Sequence, residues 1–227
     1  MAKERYIKNM NLLSAEENDR LRSFSVCVIG CGGLGGYIIE LLGRLGIGSI
    51  TAVDGDNFEL SNLNRQLLSD ESLIGKSKSL AAVQRMARVN SEVQVISKSC
   101  FLTEDNCDEL ISGHNLVFDA LDNMSSRRIL ESHCSSCNIP LIHGAIGGWY
   151  AQVCTIMPGD FAFQKIYPSG METGIETELG NPAFMPSLTA SIQVSEGIKV
   201  LFGKGDLLQN KLLTINLLNH EYEIFML

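Results

Sequence analysis

The sequence contains no long uncharged apolar run, no cluster of basic residues and, beyond Cys154, no cysteine. Each lack removes a class of protein. The first long uncharged stretch, residues 23–39, is 17 residues long and carries five glycines, short of the roughly 20 apolar residues a membrane span needs. The segment before it, Met1 to Arg22, is charged and polar, unlike a secretory leader, so the expected location is the cytoplasm. The 18 Lys and Arg residues are outnumbered by 26 Asp and Glu, giving a net charge of −8. A nucleic-acid partner ordinarily leaves a basic patch, so none is expected. In a cytoplasmic chain the seven cysteines are expected as reduced thiols rather than a disulfide framework.

What remains is 227 residues, 45% of them hydrophobic, enough for the core of one large domain. Ser14 with Glu17 three positions later reads as a capping box opening a short helix to about Arg22. The run from Phe24 to Ile29 reads as a strand buried on both faces. Leu34, Ile38, Leu41, Leu42 and Leu45 form an apolar stripe of helical period, stopped by Gly46 and Gly48. Ile50 to Val53 follows as a second strand. Further helices are expected over 75–89, 103–112 and 123–137, with strands over 93–97, 116–119 and 139–145. Strands alternating with helices predict a Rossmann-like, doubly wound, mainly parallel sheet. After residue 147 the texture changes: a strand over 149–157, a loop over 158–180, a helix over 185–202 and a closing antiparallel hairpin around Asn219. The expected organisation is a helical arm (1–22), a nucleotide-binding half (23–146) and a partner-binding half (147–227).

The first chemical constellation is Gly30-Cys31-Gly32-Gly33-Leu34-Gly35, a GxGxxG between a strand and a helix. Glycines there permit a tight turn and close approach of backbone N–H groups to phosphate at the helix N-terminus. Asp54 closes the second strand, where an acidic side chain meets a ribose hydroxyl. The alternative is a tight turn with no ligand. Downstream come Asn62, Arg65, Gln66, Lys78, Asp122 and Asn123. Arg and Lys neutralise charge on phosphates, and an Asp at the end of a parallel strand can hold Mg²⁺. Each has a plainer reading: Arg65 as a solvated loop charge, Lys78 as a helix-surface lysine, Asp122 as a helix N-cap. Cys31 is either a thiol activated by a helix N-terminus or a small space-filler.

In several stretches the chain resembles the ThiF/MoeB/HesA family, relatives of the ubiquitin-activating enzymes. These are residues 5–9 (RYIKN), 30–36 (GCGGLGG), 46–66 (ending SNLNRQ), 75–78 (GKSK), 118–123 (FDALDN) with Arg127, 139–153 and 186–203. The resemblance implies ATP-dependent adenylation of the C-terminal glycine of a small ubiquitin-like sulfur-carrier protein ending in Gly-Gly, with release of pyrophosphate, by a homodimer. It also implies roles for residues. Gly33 would touch the nucleotide and Asp54 the ribose; Asn62, Arg65 and Lys78 would touch the phosphates. Asp122 would take Mg²⁺, and Gln66 and Asn123 would lie beside the nucleotide. Arg5 or Lys8 would reach the neighbouring subunit's ATP, although relatives commonly carry Arg where this chain has Lys8.

Two further departures concern cysteine. Relatives often bind zinc through two CxxC pairs; here the first position reads Ala162-Phe163-Gln164-Lys165 and no second pair follows. Some place a thioester cysteine in the loop corresponding to 158–186, which has none. Cys134 and Cys137 form a lone CxxC beside His133, short of four ligands. Competing readings are a relative acting on a modified tRNA adenosine or a peptide, a nucleotide-bound scaffold without activity, and a nicotinamide oxidoreductase. Metal analysis of the purified protein is expected to find well under one zinc per chain; a stoichiometric zinc surviving dialysis would contradict this.

Overall fold

The structure, a computed structural model, describes residues 4–167 and 179–227. A 3₁₀ turn over Glu4–Asn9 leads into α1, Ala15–Leu21. Ser14 caps that helix, and the reciprocal Glu17 bond of the capping box is present. There follow β1 (Ser25–Ile29), α2 (Gly33–Leu45), β2 (Ser49–Val53), α3 (Lys78–Val89) and β3 (Gln94–Lys98). Next come α4 (Cys107–Ile111), β4 (Leu116–Asp119), α5 (Met124–Ser136) and β5 (Leu141–Gly147). The chain closes with β6 (Tyr150–Ile156), α6 (Phe163–Ile166), α7 (Phe184–Phe202), β7 (Lys211–Asn216) and β8 (Glu221–Met226).

One eight-stranded sheet runs in the order β3-β2-β1-β4-β5-β6-β7-β8. The first five strands pair in parallel and the last three are added antiparallel. The anticipated doubly wound sheet and its antiparallel extension are therefore both present. The two halves expected on either side of residue 146 share this sheet, because β5 pairs with β4 on one edge and β6 on the other. Apolar residues of α2, β1, β2, α3 and α7 form one core layer, and those of α4, α5, α6 and the opposite sheet face form the other. Among the described residues no helix is long and apolar enough to cross a membrane.

Several boundaries differ from expectation, each for a local reason. Helix α3 starts at Lys78 rather than 75, because Gly75 has φ +78° and Ser77 is the cap. Helix α4 starts at Cys107, not Thr103; the Asn106 side chain accepts from the Thr103 amide and holds a turn there. Trp149 lies in the β5–β6 turn, with Gly148 at φ +57°. The expected loop over 158–180 contains the short helix α6, and its residues 168–178 lie outside the described residues.

On the α4–α5 side, His133 Nδ1 is 2.6 Å from Asp108 Oδ1 and its Nε2 is 3.2 Å from Glu104 Oε1. Hydrogen bonding to Asp108 raises the imidazole pKa, and the same bond lowers that of Asp108. A raised folded-state pKa stabilises below the unfolded value of about 6.5 and is lost as pH climbs through the folded value. The excess Tm of wild type over His133→Gln is therefore expected to be largest at mildly acidic pH and to shrink in alkali. A constant difference across that range would show the imidazole charge to be irrelevant.

Candidate active site

A cleft of about 230 Å³ opens at the C-terminal ends of the parallel strands, lined by the glycine turn, Asp54, Arg65, Gln66, Lys78, Phe101, Asp122 and Arg127 among others. Open α/β sheets bind ligands at this end, where strand order reverses; here β1 lies between β2 and β4.

The four glycines of the turn divide by role. Gly30 has φ +98°, and a Cβ there would lie 2.5 Å from the Ala120 carbonyl oxygen. A Cβ on Gly35 would lie 1.8 Å from the Gly30 carbonyl oxygen. Both positions serve the packing of α2 against β1 and β4, and Gly35 does not line the cleft. Gly32 and Gly33 do line it, and a Cβ on either meets nothing closer than 3.5 Å. Gly32 caps α2 without a side-chain bond, leaving the first-turn N–H groups open to an acceptor. Cys31, between Gly30 and Gly32, is fully buried, and burial pushes its thiol pKa well up. It is the space-filler, not an activated thiol.

Asp54 follows β2. Its Oδ2 accepts from the Cys31 amide at 2.7 Å and its Oδ1 from the Asp56 amide at 2.8 Å. Burial raises its pKa, opposed by these two bonds and by the Lys78 charge. Lys78 is buried, not a surface lysine, and its Nζ is 3.2 Å from Asp56 Oδ2. Arg65 is half-buried; its Nη1 donates to the Ser61 carbonyl and to Asn64 Oδ1. Gln66 is buried with its Oε1 unpartnered, and a group beside the glycine turn could satisfy it.

Asp122 stands exposed at the cleft mouth. The cap of α5 is not Asp122 but Asn123, whose Oδ1 accepts from the Ser126 amide at 2.9 Å. This leaves the Asp122 carboxylate available for a cation, with the Asn123 amide 3.5 Å away. Asn62 does not line the cleft; it is buried and its Oδ1 accepts from the Glu59 amide in a local capping box. Arg5 donates to the Val89 carbonyl at the C-terminus of α3, about 16 Å along that helix from Lys78. Neither Arg5 nor exposed Lys8 lines the cleft of its own chain. Phe101 and Arg127 are among the lining residues that had no role from sequence. Phe101, after β3, is 63% exposed and lies so close to Gly55 that a Cβ there would be 2.7 Å from its ring. Arg127 is buried on α5 beside Asp119. No periodicity marks either one; only the sheet order brings them to the cleft.

Residues 5–227 match the ThiF family. The chain belongs to that family. It is 31% identical to a SAMP-activating enzyme E1 of Haloferax volcanii over 97% of this chain and 83% of that protein. It is 30% identical to a sulfur carrier protein adenylyltransferase of Thermus thermophilus over 96% of this chain and 85% of that protein. Among solved structures, E. coli MccB with ATP superposes at a TM-score of 0.85, with 20% identity, covering 100% of this chain and 71% of that one. At that identity the likeness shows the fold alone.

In this ThiF-family chain the glycines can be separated by experiment. Gly35→Ala is expected to cost on the order of 3 kcal/mol or more, through backbone overlap that no rotamer relieves. Gly32→Ala and Gly33→Ala are expected to stay folded, with Tm near wild type, while calorimetry shows Mg-ATP binding weakened by about tenfold or more. NAD is expected to bind wild type more weakly than Mg-ATP. Equal Mg-ATP affinity in all the glycine variants would remove the turn from the binding site.

Proposed function

We propose that the chain is an adenylyltransferase that uses ATP to activate the C-terminal glycine carboxylate of a small ubiquitin-like sulfur-carrier protein. The carrying observation is the meeting in one cleft of a glycine turn with open amides, a ribose-type aspartate and the cations Arg65, Lys78 and Arg127, with the exposed Asp122 carboxylate beside them. Family membership and the similarity to proteins named for sulfur-carrier activation support the substrate class.

The reaction joins a carboxylate oxygen to the α-phosphorus of ATP and breaks the bond to pyrophosphate. The carboxylate is already the nucleophile, so no general base is required. The work left to the protein is positioning and charge neutralisation. Asp54 has an acceptor lone pair left on each oxygen for ribose hydroxyls. The α2 amides, Arg65 and Lys78 face the phosphate side. Mg²⁺, when bound, neutralises phosphate charge, and exposed Asp122 fits it as an oxygen ligand. The half of the sheet beyond residue 146 is the carrier-docking side in this reading. The working unit is a cytoplasmic homodimer in which Arg5 or Lys8 serves the neighbouring cleft.

In this reading no cysteine takes part in activation, Cys100 at the cleft wall included. Cys27, Cys31, Cys107, Cys134 and Cys154 are buried, and burial raises the pKa of each. ATP–pyrophosphate exchange with carriers ending in Gly-Gly tests the proposal. Asp122→Ala is expected to abolish exchange. Arg65→Ala is expected to lower kcat by about 10²–10³. A variant with every cysteine replaced, Cys27 by Val, is expected to stay within roughly tenfold of wild type. A thioester with the carrier trapped by mass spectrometry, or full activity in Asp122→Ala, would overturn this mechanism.

A further inference from the structure

Beneath the cleft lies a closed polar network. Asp119 ends β4 and His143 lies on β5, and both side chains are fully buried. Asp119 Oδ2 accepts from His143 Nδ1 at 2.6 Å, and its Oδ1 accepts from the Leu121 amide at 2.9 Å. His143 Nε2 is 2.9 Å from the Tyr167 hydroxyl, which also takes a bond from the Gln152 amide on β6. The ring of His143 is held edge-on by Phe163 at 4.8 Å and Tyr167 at 5.8 Å. On the other side of Asp119, Arg127 Nε approaches Oδ2 at 3.5 Å while its Nη2 donates to the Leu121 carbonyl at 2.6 Å.

Donor and acceptor counting fixes the protons. A carboxylate only accepts, so His143 carries hydrogen on Nδ1. Nε2 of a neutral ring then accepts from the Tyr167 hydroxyl, and the Gln152 amide fills a Tyr167 lone pair. Asp119, His143 and Tyr167 are each satisfied with His143 neutral, while the buried Arg127 Nε stays within ion-pair range of Asp119 without a hydrogen bond. Adding a proton at Nε2 would point two donors at Tyr167 and leave its hydroxyl hydrogen without this acceptor. It would also place two cations, His143 and Arg127, on one carboxylate. The surrounding titratable groups are Asp119 on β4, Arg127 and Glu131 on α5, Cys154 on β6 and Tyr167 after α6. Burial depresses the His143 pKa, outweighing the Asp119 bond that favours the charged form.

We propose that Asp119, His143 and Tyr167 form a positioning relay that fixes the Arg127 guanidinium at the cleft, and that this placement requires neutral, Nδ1-protonated His143. The relay rests on the adenylation reading for its kinetic consequence, though not for its chemistry.

Three variants and one spectrum test it. In ATP–pyrophosphate exchange, His143→Ala is expected to lower kcat by about 10²-fold, the scale of a misplaced charged group, with the KM for ATP little changed. His143→Asn, whose amide can still donate to Asp119 and cannot titrate, is expected to rescue most of that loss and to show no His143 limb in the pH profile. Tyr167→Phe removes the donor to Nε2 and is expected to move the acid limb of kcat to higher pH. A folded His143→Ala or Tyr167→Phe protein with wild-type kcat and pH profile would overturn the relay. Nitrogen NMR of ¹⁵N-histidine-labelled protein is expected to show His143 protonated at Nδ1 only and neutral at neutral pH, and shifting when Mg-ATP is added. The opposite tautomer, a charged ring at neutral pH, or no response to saturating Mg-ATP would overturn the relay without any carrier. Absence of exchange by wild type with every carrier would instead remove the adenylation reading, leaving the tautomer to decide the relay.

Discussion

The contact on which the rest depends is that of Gly35 with the backbone of Gly30. It leaves no space for a single carbon atom on Gly35. Helix α2 therefore sits against the end of β1 more closely than any side chain would permit, and its first-turn amides arrive at the strand ends. The same turn places the Cys31 amide within hydrogen-bonding distance of Asp54, just past the end of the neighbouring strand. Phosphate-facing amides and a ribose-facing carboxylate thus come from one backbone approach, and the register of β1 against β2 keeps them together.

The cleft balances charge rather than concentrating one sign. Arg65, Lys78 and Arg127 share it with Asp54, Asp56 and Asp122. Lys78 is held by Asp56 and Arg127 by Asp119, so neither cation is buried without a partner, which would be costly. Held cations are also preorganised: little reorientation is needed when charge develops nearby. Arg65, half-buried and hydrogen-bonded only within its own loop, is the cation of the three held by no carboxylate among the described ion pairs.

Strand β5 belongs to both halves of the sheet, parallel to β4 and antiparallel to β6. Helix α7 covers this seam, packing on α2, β5 and β6. Its Gln193 donates to the carbonyls of Asp119 and Ile142, stitching β4 to β5 from above. Beyond the seam, β8 leaves both faces open, with Tyr222, Ile224, Phe225 and Met226 all exposed.

Local patterns were readable directly. The Ser14–Glu17 box, the stripe of α2 and the apolar runs of β1 and β4 each depend on near neighbours, and each appears within a residue or two of its expected place. The glycine turn with Asp54 was readable because strand, turn and helix are contiguous. Arg65, Lys78 and Asp122 could be named from their motifs, but their states could not. That Lys78 is buried against Asp56 is a result of packing between distant segments; that Asn123 rather than Asp122 caps α5, and that Asn62 turns away from the cleft, are choices between neighbouring local bonds. Arg127, Phe101 and the pairing of His143 with Asp119 and Tyr167 left no periodic trace, because their partners are many residues away in the chain. The sequence by itself determined the order of strands and helices and the chemistry of the glycine turn, since those follow from short-range propensity and contiguous spacing. Only the tertiary structure decided which charges share the cleft and which protons lie beneath it, because β4, β5 and β6 must be side by side before Asp119, His143 and Gln152 can meet.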